Sequence, residues 1–394
     1  MNILIVTDLF FPDVKGGGPR YVNELGAALV KRGHAISVLT RRSNDQALFQ
    51  EELRGVNIYR YDTNVASRLT FLFSSIRNSC RLFKRLSEKT KFDTIIFNQP
   101  LSALGIIFLS RLRNIPKVYI FHSSWPQEYA AKANSRGLVF LLYKFIEKNV
   151  LIRSRRIVLL SEFSRRTILD LYKDLSLDIK LVPGGVDLER FKPVLDKEQV
   201  RGKLGIAKDK FVLLTVRYLN PRMGLESLIA AMREVVKRYN DVLLIIGGSG
   251  PLGDKLAQLV REFDLETWIK LVGSIEDDLL PYYYQAADIF ILPTKCLEGF
   301  GLATVEALSC GRPVLGTPVG ATPEILKPLD EDLLFESIDP KAMSEKIITY
   351  INKPKRELDE LGIKCRQYVV GNYSWEKVAF KFEEVLNNIL KGEP

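Results

Sequence analysis

The 394-residue sequence predicts an α/β protein of two doubly wound halves, and three observations carry that prediction. Short apolar runs recur along the whole chain, helical stretches separate them, and the runs are continuous rather than alternating, as in parallel strands covered on both faces. With 46% apolar and 26% charged residues the chain is a globular protein long enough to bury two cores.

In the first half, strands are expected at Ile3–Thr7, Ile36–Thr40, Val56–Tyr59, Thr94–Phe97, Val118–Phe121, Arg156–Leu160 and Lys180–Val182. In the second they are expected at Phe211–Val216, Val242–Ile246, Ile269–Val272, Ile289–Leu292 and Val314–Gly316. Both halves read as Rossmann-like. The break falls in the charged, strand-free stretch from Arg190 to Lys210, where Pro193 and Gly202 interrupt the pattern, giving domains of 1–190 and 191–375. Residues 376–391 form a last amphipathic helix within the terminal segment 376–394.

Met1-Asn-Ile-Leu-Ile-Val-Thr7 opens on a buried strand without the marks of a secretion leader, which predicts a cytoplasmic protein. No apolar run has the length of a bilayer-spanning helix. Cys80, Cys296, Cys310 and Cys365 lie scattered, the pattern of reduced thiols rather than of disulfides or zinc.

The net charge of +10 is uneven: residues 1–190 carry 30 Lys and Arg against 17 Asp and Glu, residues 191–394 carry 27 against 30. The first half therefore calls for an anionic partner, a membrane surface or a phosphate-bearing acceptor. Arg68 to Lys91 sharpens this, with seven basic residues against the single Glu88. At helical spacing Leu69, Leu72, Ile76, Cys80 and Phe83 make one face, and Arg77, Arg81, Lys84 and Arg85 lie beside it. That pattern fits an anionic lipid surface and equally a helix packed on its own domain. Nucleic acid is disfavoured, since neither zinc-finger spacing nor an aromatic RNA-binding motif accompanies the charge.

Glu298 and Glu306 frame the stretch that speaks most directly of chemistry. Glu298 follows the strand Ile289–Leu292, and Glu306 lies in the opening turns of the next helix, so both flank the carboxyl edge of a parallel sheet, where ligands of such sheets bind. Gly299 and Gly301 let backbone N–H groups approach an anion at the helix start. A carboxylate beside a phosphate site can hold sugar hydroxyls, and a sugar nucleotide offers both groups. Arg217 and Arg222, after another strand, put two guanidinium groups at a helix entrance. Gly16-Gly17-Gly18-Pro19 follows the first strand without the Lys-Ser/Thr of a P-loop. His34 and His122 are the only histidines, too few for a multi-histidine metal centre. His34 leads into a strand, whereas His122 leaves the carboxyl end of one. Glu276-Asp277-Asp278 reads as helix capping rather than a metal site.

The segment Glu298-Gly-Phe-Gly-Leu-Ala-Thr-Val-Glu306-Ala-Leu-Ser-Cys-Gly-Arg-Pro-Val resembles the E-x7-E signature of retaining GT-B-fold glycosyltransferases of family 4. The likeness covers nearly the whole chain, through Phe11-Pro12, Gly16-Gly17-Gly18, Arg32-Gly33-His34, Ser161-Glu162-Phe163-Ser164, Pro183-Gly184-Gly185-Val186-Asp187, Arg217 to Gly224, Gly247 to Pro251 and Gly320 to Glu324. It implies two Rossmann-like domains facing across a cleft, with the last helix crossing back to the first domain. It implies a nucleotide-sugar donor on the second domain, a saccharide or lipid-linked acceptor on the first, and hexose transfer in polysaccharide or glycolipid assembly.

By the same resemblance Glu298 and His122 meet the transferred sugar, Glu306 the ribose, and Arg217 and Arg222 the diphosphate. Gly17, Gly18, Gly248, Val272, Gly299, Phe300 and Gly301 join them around the donor. Met223 stands where the family usually has Lys, leaving Arg222 as the substitute. No metal or cofactor is expected beyond the donor as co-substrate, and no protein nucleophile. Three other readings compete: a sugar-nucleotide epimerase on the same fold, an NAD-dependent oxidoreductase through Gly248-Ser-Gly250-Pro-Leu-Gly253, and a non-catalytic protein that binds a partner through its basic face.

Overall fold

A computed structural model describes residues 1–14, 16–109, 114–133 and 136–392. The chain forms two compact units, one of Met1–Gly184 with Trp375–Pro394 and one of Gly185–Ser374. The division thus falls ahead of the break expected at Arg190. The stretch from Arg190 to Lys210 is no linker, because its side chains anchor it to the second unit. Arg190 pairs with Asp277 at 2.8 Å, and buried Arg201 pairs with Asp288 at 2.7 Å while donating to the carbonyl of Ala286. Glu393 and Pro394, the end of the terminal segment, lie outside the described residues.

The first unit runs β1 (Asn2–Val6), α1 (Gly17–Lys31), β2 (Ala35–Arg41), β3 (Gln50–Leu53), β4 (Val56–Tyr61), α2 (Arg68–Lys89), β5 (Thr94–Phe97), α3 (Pro100–Ile107), β6 (Lys117–Phe121), α4 (Trp125–Ala133), α5 (Leu138–Arg153), β7 (Arg156–Leu159), α6 (Glu162–Leu171) and β8 (Ile179–Leu181). Its sheet has the order β3-β4-β2-β1-β5-β6-β7-β8, parallel except for the β3–β4 pair. β3 escaped the sequence reading because Gln50-Glu-Glu-Leu53 has no apolar run. It forms as a polar edge strand, turned back from β4 by Arg54 and Gly55, both with positive φ.

The central strands are fully buried from Ile3 to Val6 and from Thr94 to Phe97. One face of the sheet packs Phe83, Ile106, Val150, Leu151 and Ile168 against Leu4, Val6, Ile95, Phe97, Tyr119 and Leu159. α15 (Trp375–Lys391) packs on α1. Its buried residues Val378, Phe382, Leu386 and Ile389 recur at helical spacing, and Glu383 binds both Arg32 and His34, the latter at 2.9 Å.

α2 begins at a capping box between Ser67 and Thr70. Leu69 and Phe73 near its start are exposed, but further along the apolar face turns inward: Phe83 is fully buried, and Ile76 and Cys80 press on Gly105 of α3, where a Cβ would come within 2.7 Å of each. Over most of its length α2 is a helix packed on its own unit.

The second unit runs α7 (Lys197–Lys203), β9 (Phe211–Val216), α8 (Leu225–Val236), β10 (Val242–Gly247), α9 (Gly253–Glu262), β11 (Ile269–Gly273), α10 (Leu280–Ala286), β12 (Ile289–Leu292), α11 (Leu302–Ser309), β13 (Val314–Gly316), α12 (Thr322–Leu326), α13 (Pro340–Ile351) and α14 (Lys355–Asn372). Its sheet, order β11-β10-β9-β12-β13, is wholly parallel. The winding direction reverses between β9 and β12, which pair through Leu213 with Ile289 and Leu214 with Phe290. A doubly wound sheet binds its ligand outside the carboxyl ends of the strands at such a reversal.

Candidate functional site

Arg217 leaves the end of β9, and Thr294 and Glu298 follow β12, so the reversal point brings them together. The Arg217 guanidinium forms an ion pair with Oε2 of Glu298 and donates to Oγ1 of Thr294 at 3.2 Å. The Thr294 hydroxyl in turn donates to the same carboxylate oxygen at 2.9 Å. Oε1 of Glu298 lies beside Gly301. The side chains of Arg217 and Glu298 are only 7% and 10% exposed. Burial alone would raise the Glu298 pKa, but Arg217, with help from Arg222 and Thr294, outweighs it and holds the carboxyl below its ordinary value.

Arg222 sits in the 3₁₀ turn Pro221–Met223 and donates through Nη1 to the carbonyl of Leu297 at 2.7 Å, which brings its charge to the Glu298 loop. Met223 is buried, and its sulfur accepts from Arg217 at 2.9 Å. It is a packing residue under the ion pair, and Arg222 is the second cation. Two guanidinium groups against one carboxylate leave a net positive charge, the setting of an anion site.

Glu306, in α11, is 6% exposed and accepts a hydrogen bond from the Tyr284 hydroxyl at 2.8 Å through Oε2. Tyr284 is fixed by ring contacts with Phe191 and Phe290. Gly299 and Gly301 precede α11, and Gly301 caps it with positive φ. The Phe300 ring is buried against Tyr373, leaving its backbone as the part that can meet a ligand. Val272 is the extra residue of a bulge in β11, where the β10 register skips from Leu271 to Gly273, so its backbone stands outside that ladder.

The Gly248–Gly253 turn supports this site. A Cβ at Gly248 would lie 1.8 Å from the Arg217 carbonyl oxygen, and Leu219 N donates to Ser249 O at 2.9 Å. Gly320, with φ +63°, does the same for Glu298: a Cβ there would sit 2.3 Å from the Glu298 carbonyl oxygen, and Ala321 N donates to that oxygen at 2.9 Å. Gly320→Ala should cost about 2–3 kcal/mol and shift Glu298, read as a lowered melting temperature. A variant that melts like the parent would show that the loop yields freely.

Glu276, Asp277 and Asp278 start the turn before α10 without any side-chain cap bond; Asp277 instead pairs with Arg190. Among the described residues no three His, Cys, Asp or Glu side chains gather as a metal site requires.

In the first unit the winding reverses between β1 and β5, and His122 follows β6 beside that point. Its Nε2 lies 2.5 Å from Oδ1 of Asn98. The Asn98 amide donates to Thr7 Oγ1, which donates onward to the Leu9 carbonyl, so Asn98 must present its oxygen and His122 its Nε2–H. Burial pushes the imidazole pKa down to about 4, so His122 is neutral at physiological pH. Tyr21 packs edge-on against His122 and against Trp375. Behind the His122 turn, Glu147 of α5 accepts from Trp125 N at 3.0 Å and from the Tyr172 hydroxyl at 2.7 Å. Gly17 and Gly18 open α1, and a Cβ on either would meet nothing, so packing does not demand glycine there.

Thr294, Tyr284 and Asn98 joined these sites without having been singled out, and Gly320 had been named only within a motif. Asn98 and Thr294 could have been found by the rule that located His122, since each follows the carboxyl end of a strand.

A family model described as glycosyl transferases group 1 matches residues 196–368, and one described as glycosyltransferase family 4 matches residues 15–190. The chain is 34% identical over 221 residues to the GDP-mannose-dependent monoacylated alpha-(1-6)-phosphatidylinositol monomannoside mannosyltransferase of Corynebacterium glutamicum, a match that takes in 54% of this chain and 56% of that relative. The chain therefore spans little more than half the length of that protein. It is 26% identical over 324 residues to the alpha-monoglucosyldiacylglycerol synthase of Streptococcus pneumoniae, covering 80% of this chain and 70% of that one. Sucrose-phosphate synthase from Thermosynechococcus elongatus shares the fold, with a TM-score of 0.87 and 23% identity over 100% of both chains. None of these three is an epimerase. The chain belongs to the group 1, family 4 glycosyltransferases and has their GT-B fold.

Proposed function

We propose that the protein is a retaining, metal-independent hexosyltransferase that moves a sugar from a nucleoside-diphosphate donor to a saccharide or lipid-linked acceptor, in polysaccharide or glycolipid assembly on the cytoplasmic side of a membrane. The observation that carries this is the ion pair of Arg217 with Glu298 at the reversal point of the second sheet, with Arg222 held on the Leu297 carbonyl of the same loop. Departure of a nucleoside diphosphate demands neutralisation of developing negative charge, and two guanidinium groups supply it where other enzymes use a metal ion. The names of the Corynebacterium and Streptococcus relatives support a nucleotide-sugar donor and a lipid-bearing acceptor.

In this reading Glu306 takes the ribose hydroxyls, Glu298 the sugar hydroxyls, and Arg217 and Arg222 the diphosphate. Backbone groups at Gly248, Val272, Gly299, Phe300 and Gly301 complete the donor site. Neutral His122 is a hydrogen-bond partner for the sugar, and Gly17 and Gly18 admit a ligand close to the backbone of α1. The acceptor hydroxyl oxygen attacks the anomeric carbon on the face from which the diphosphate leaves. Its proton passes to the departing diphosphate oxygen, so neither a protein nucleophile nor a separate base is needed.

Screening UDP-, GDP- and ADP-sugars for binding and slow hydrolysis tests the proposal. One donor should bind and hydrolyse, with hydrolysis lost in Glu298→Gln; if no nucleotide sugar binds, the reading fails.

A further inference from the structure

α5 is apolar on two opposite faces, and among the described residues only one of them is buried. Phe140, Ile146, Glu147, Val150 and Leu151 point into the unit and are buried. On the other side Leu138, Leu141, Leu142, Phe145 and Ile152 are each between 46% and 85% exposed. Their spacing gathers them within an arc of about 100° on the helix surface, so they share one face, on which Asn149 is the polar residue between Phe145 and Ile152. Phe108, just after α3, is 56% exposed and lies under the guanidinium of Arg153 at 4.4 Å, which extends the apolar surface beyond the helix itself. A helix apolar on all sides is stable only when its outer face is also covered.

The flanking charges say what covers it. Lys144 and Lys148 border the stripe on one side and Arg153 on the other, while the only carboxylate of α5, Glu147, is turned inward and fully buried. Lys148 keeps an exposed partner in Asp174, a pair of the kind that contributes little in water and leaves the cation available. Apolar residues rimmed by cations on the more basic half of the chain match a surface with anionic headgroups over hydrocarbon. A second copy of the same face would instead set lysine and arginine against lysine and arginine.

We propose that the outer face of α5, and not the basic helix α2, is the surface by which this protein docks on an anionic lipid bilayer. The inference rests on the proposed transfer to a lipid-linked acceptor and locates where such an acceptor is met. Because Glu147 holds the turn after His122 from the inner side of the same helix, the docking face and the first unit's candidate site share one rigid element.

The test is flotation with vesicles of phosphatidylcholine alone or with phosphatidylglycerol, comparing wild type, Leu141→Ser/Phe145→Ser, and Leu195→Ser as a control for loss of an exposed leucine in the second unit. Wild type and the control should float with the anionic vesicles, and the double variant should lose about tenfold or more of that partition. Its nucleotide-sugar binding should be unchanged, since the substituted residues are on the surface. Failure of the wild type to bind anionic vesicles, or equal binding by the double variant, overturns the proposal. So does a wild-type dimer in sedimentation that the double variant breaks, because a second copy then covers the face. If vesicles bind but no nucleotide sugar does, the transferase reading falls while the docking face stands.

Discussion

Arg217→Ala is expected to cut transfer about a thousandfold and to destabilise the protein by about 3–5 kcal/mol, because it removes the main counter-ion of a buried carboxylate. Thr294 alone would remain on Oε2 of Glu298. The double change Arg217→Met/Glu298→Gln should be less destabilising than Arg217→Ala, since it leaves no buried charge unpaired. The pH dependence follows from the direction of the Glu298 shift. In the wild type the carboxyl is held below its ordinary value of 4.5, so the stability it contributes is complete above that pH and is lost as pH falls through the lower folded value. Without Arg217 burial dominates, the carboxyl titrates above 4.5 when folded, and protonation relieves the defect. The gap in melting temperature between wild type and Arg217→Ala should therefore narrow as the solution is acidified. A gap independent of pH, with turnover within tenfold of wild type, would remove Arg217 from the site.

Most of this architecture was legible because its determinants are local. The buried strands are continuous runs of Ile, Val, Leu and Phe, and only β3 was missed, since a polar edge strand is defined by its partner and its turn. Glu298, Arg217 and His122 stood out by position, each after a strand, and the resemblance to family 4 supplied the roles proposed for them. Which of them touch was another matter. Arg217 and Glu298 are 81 residues apart, and their meeting depends on β12 pairing beside β9, a choice of strand order that no local pattern encodes. The buried partners of His122 and Glu306 were illegible for the same reason: Asn98 comes from the neighbouring strand end and Tyr284 from α10. The amphipathic pattern of α2 could not tell lipid from protein. The glycine at position 105, which lets Ile76 and Cys80 approach α3, decides it.

Glu306→Gln and Glu298→Gln are expected to separate binding from chemistry. Both carboxylates are buried, and each has Oε2 engaged, by Tyr284 in one case and by Arg217 with Thr294 in the other. Each therefore has a second oxygen with which to meet a ligand. Glu306 is held by the neutral Tyr284 hydroxyl, and in the proposed site it makes a charge-assisted hydrogen bond equally in ground and transition states. Losing it should weaken donor affinity about 10- to 100-fold, the equivalent of about 1.5–3 kcal/mol, with kcat nearly unchanged. Glu298 shares its charge with Arg217, whose guanidinium, in the proposed mechanism, answers the charge that develops on the departing diphosphate. Neutralising Glu298 disturbs that cation where it matters, so kcat should fall about a hundredfold or more while the donor KM changes little. Steady-state kinetics on the two variants with the donor identified by screening decides the matter, and a drop in kcat for Glu306→Gln with a raised KM for Glu298→Gln would reverse the assignment.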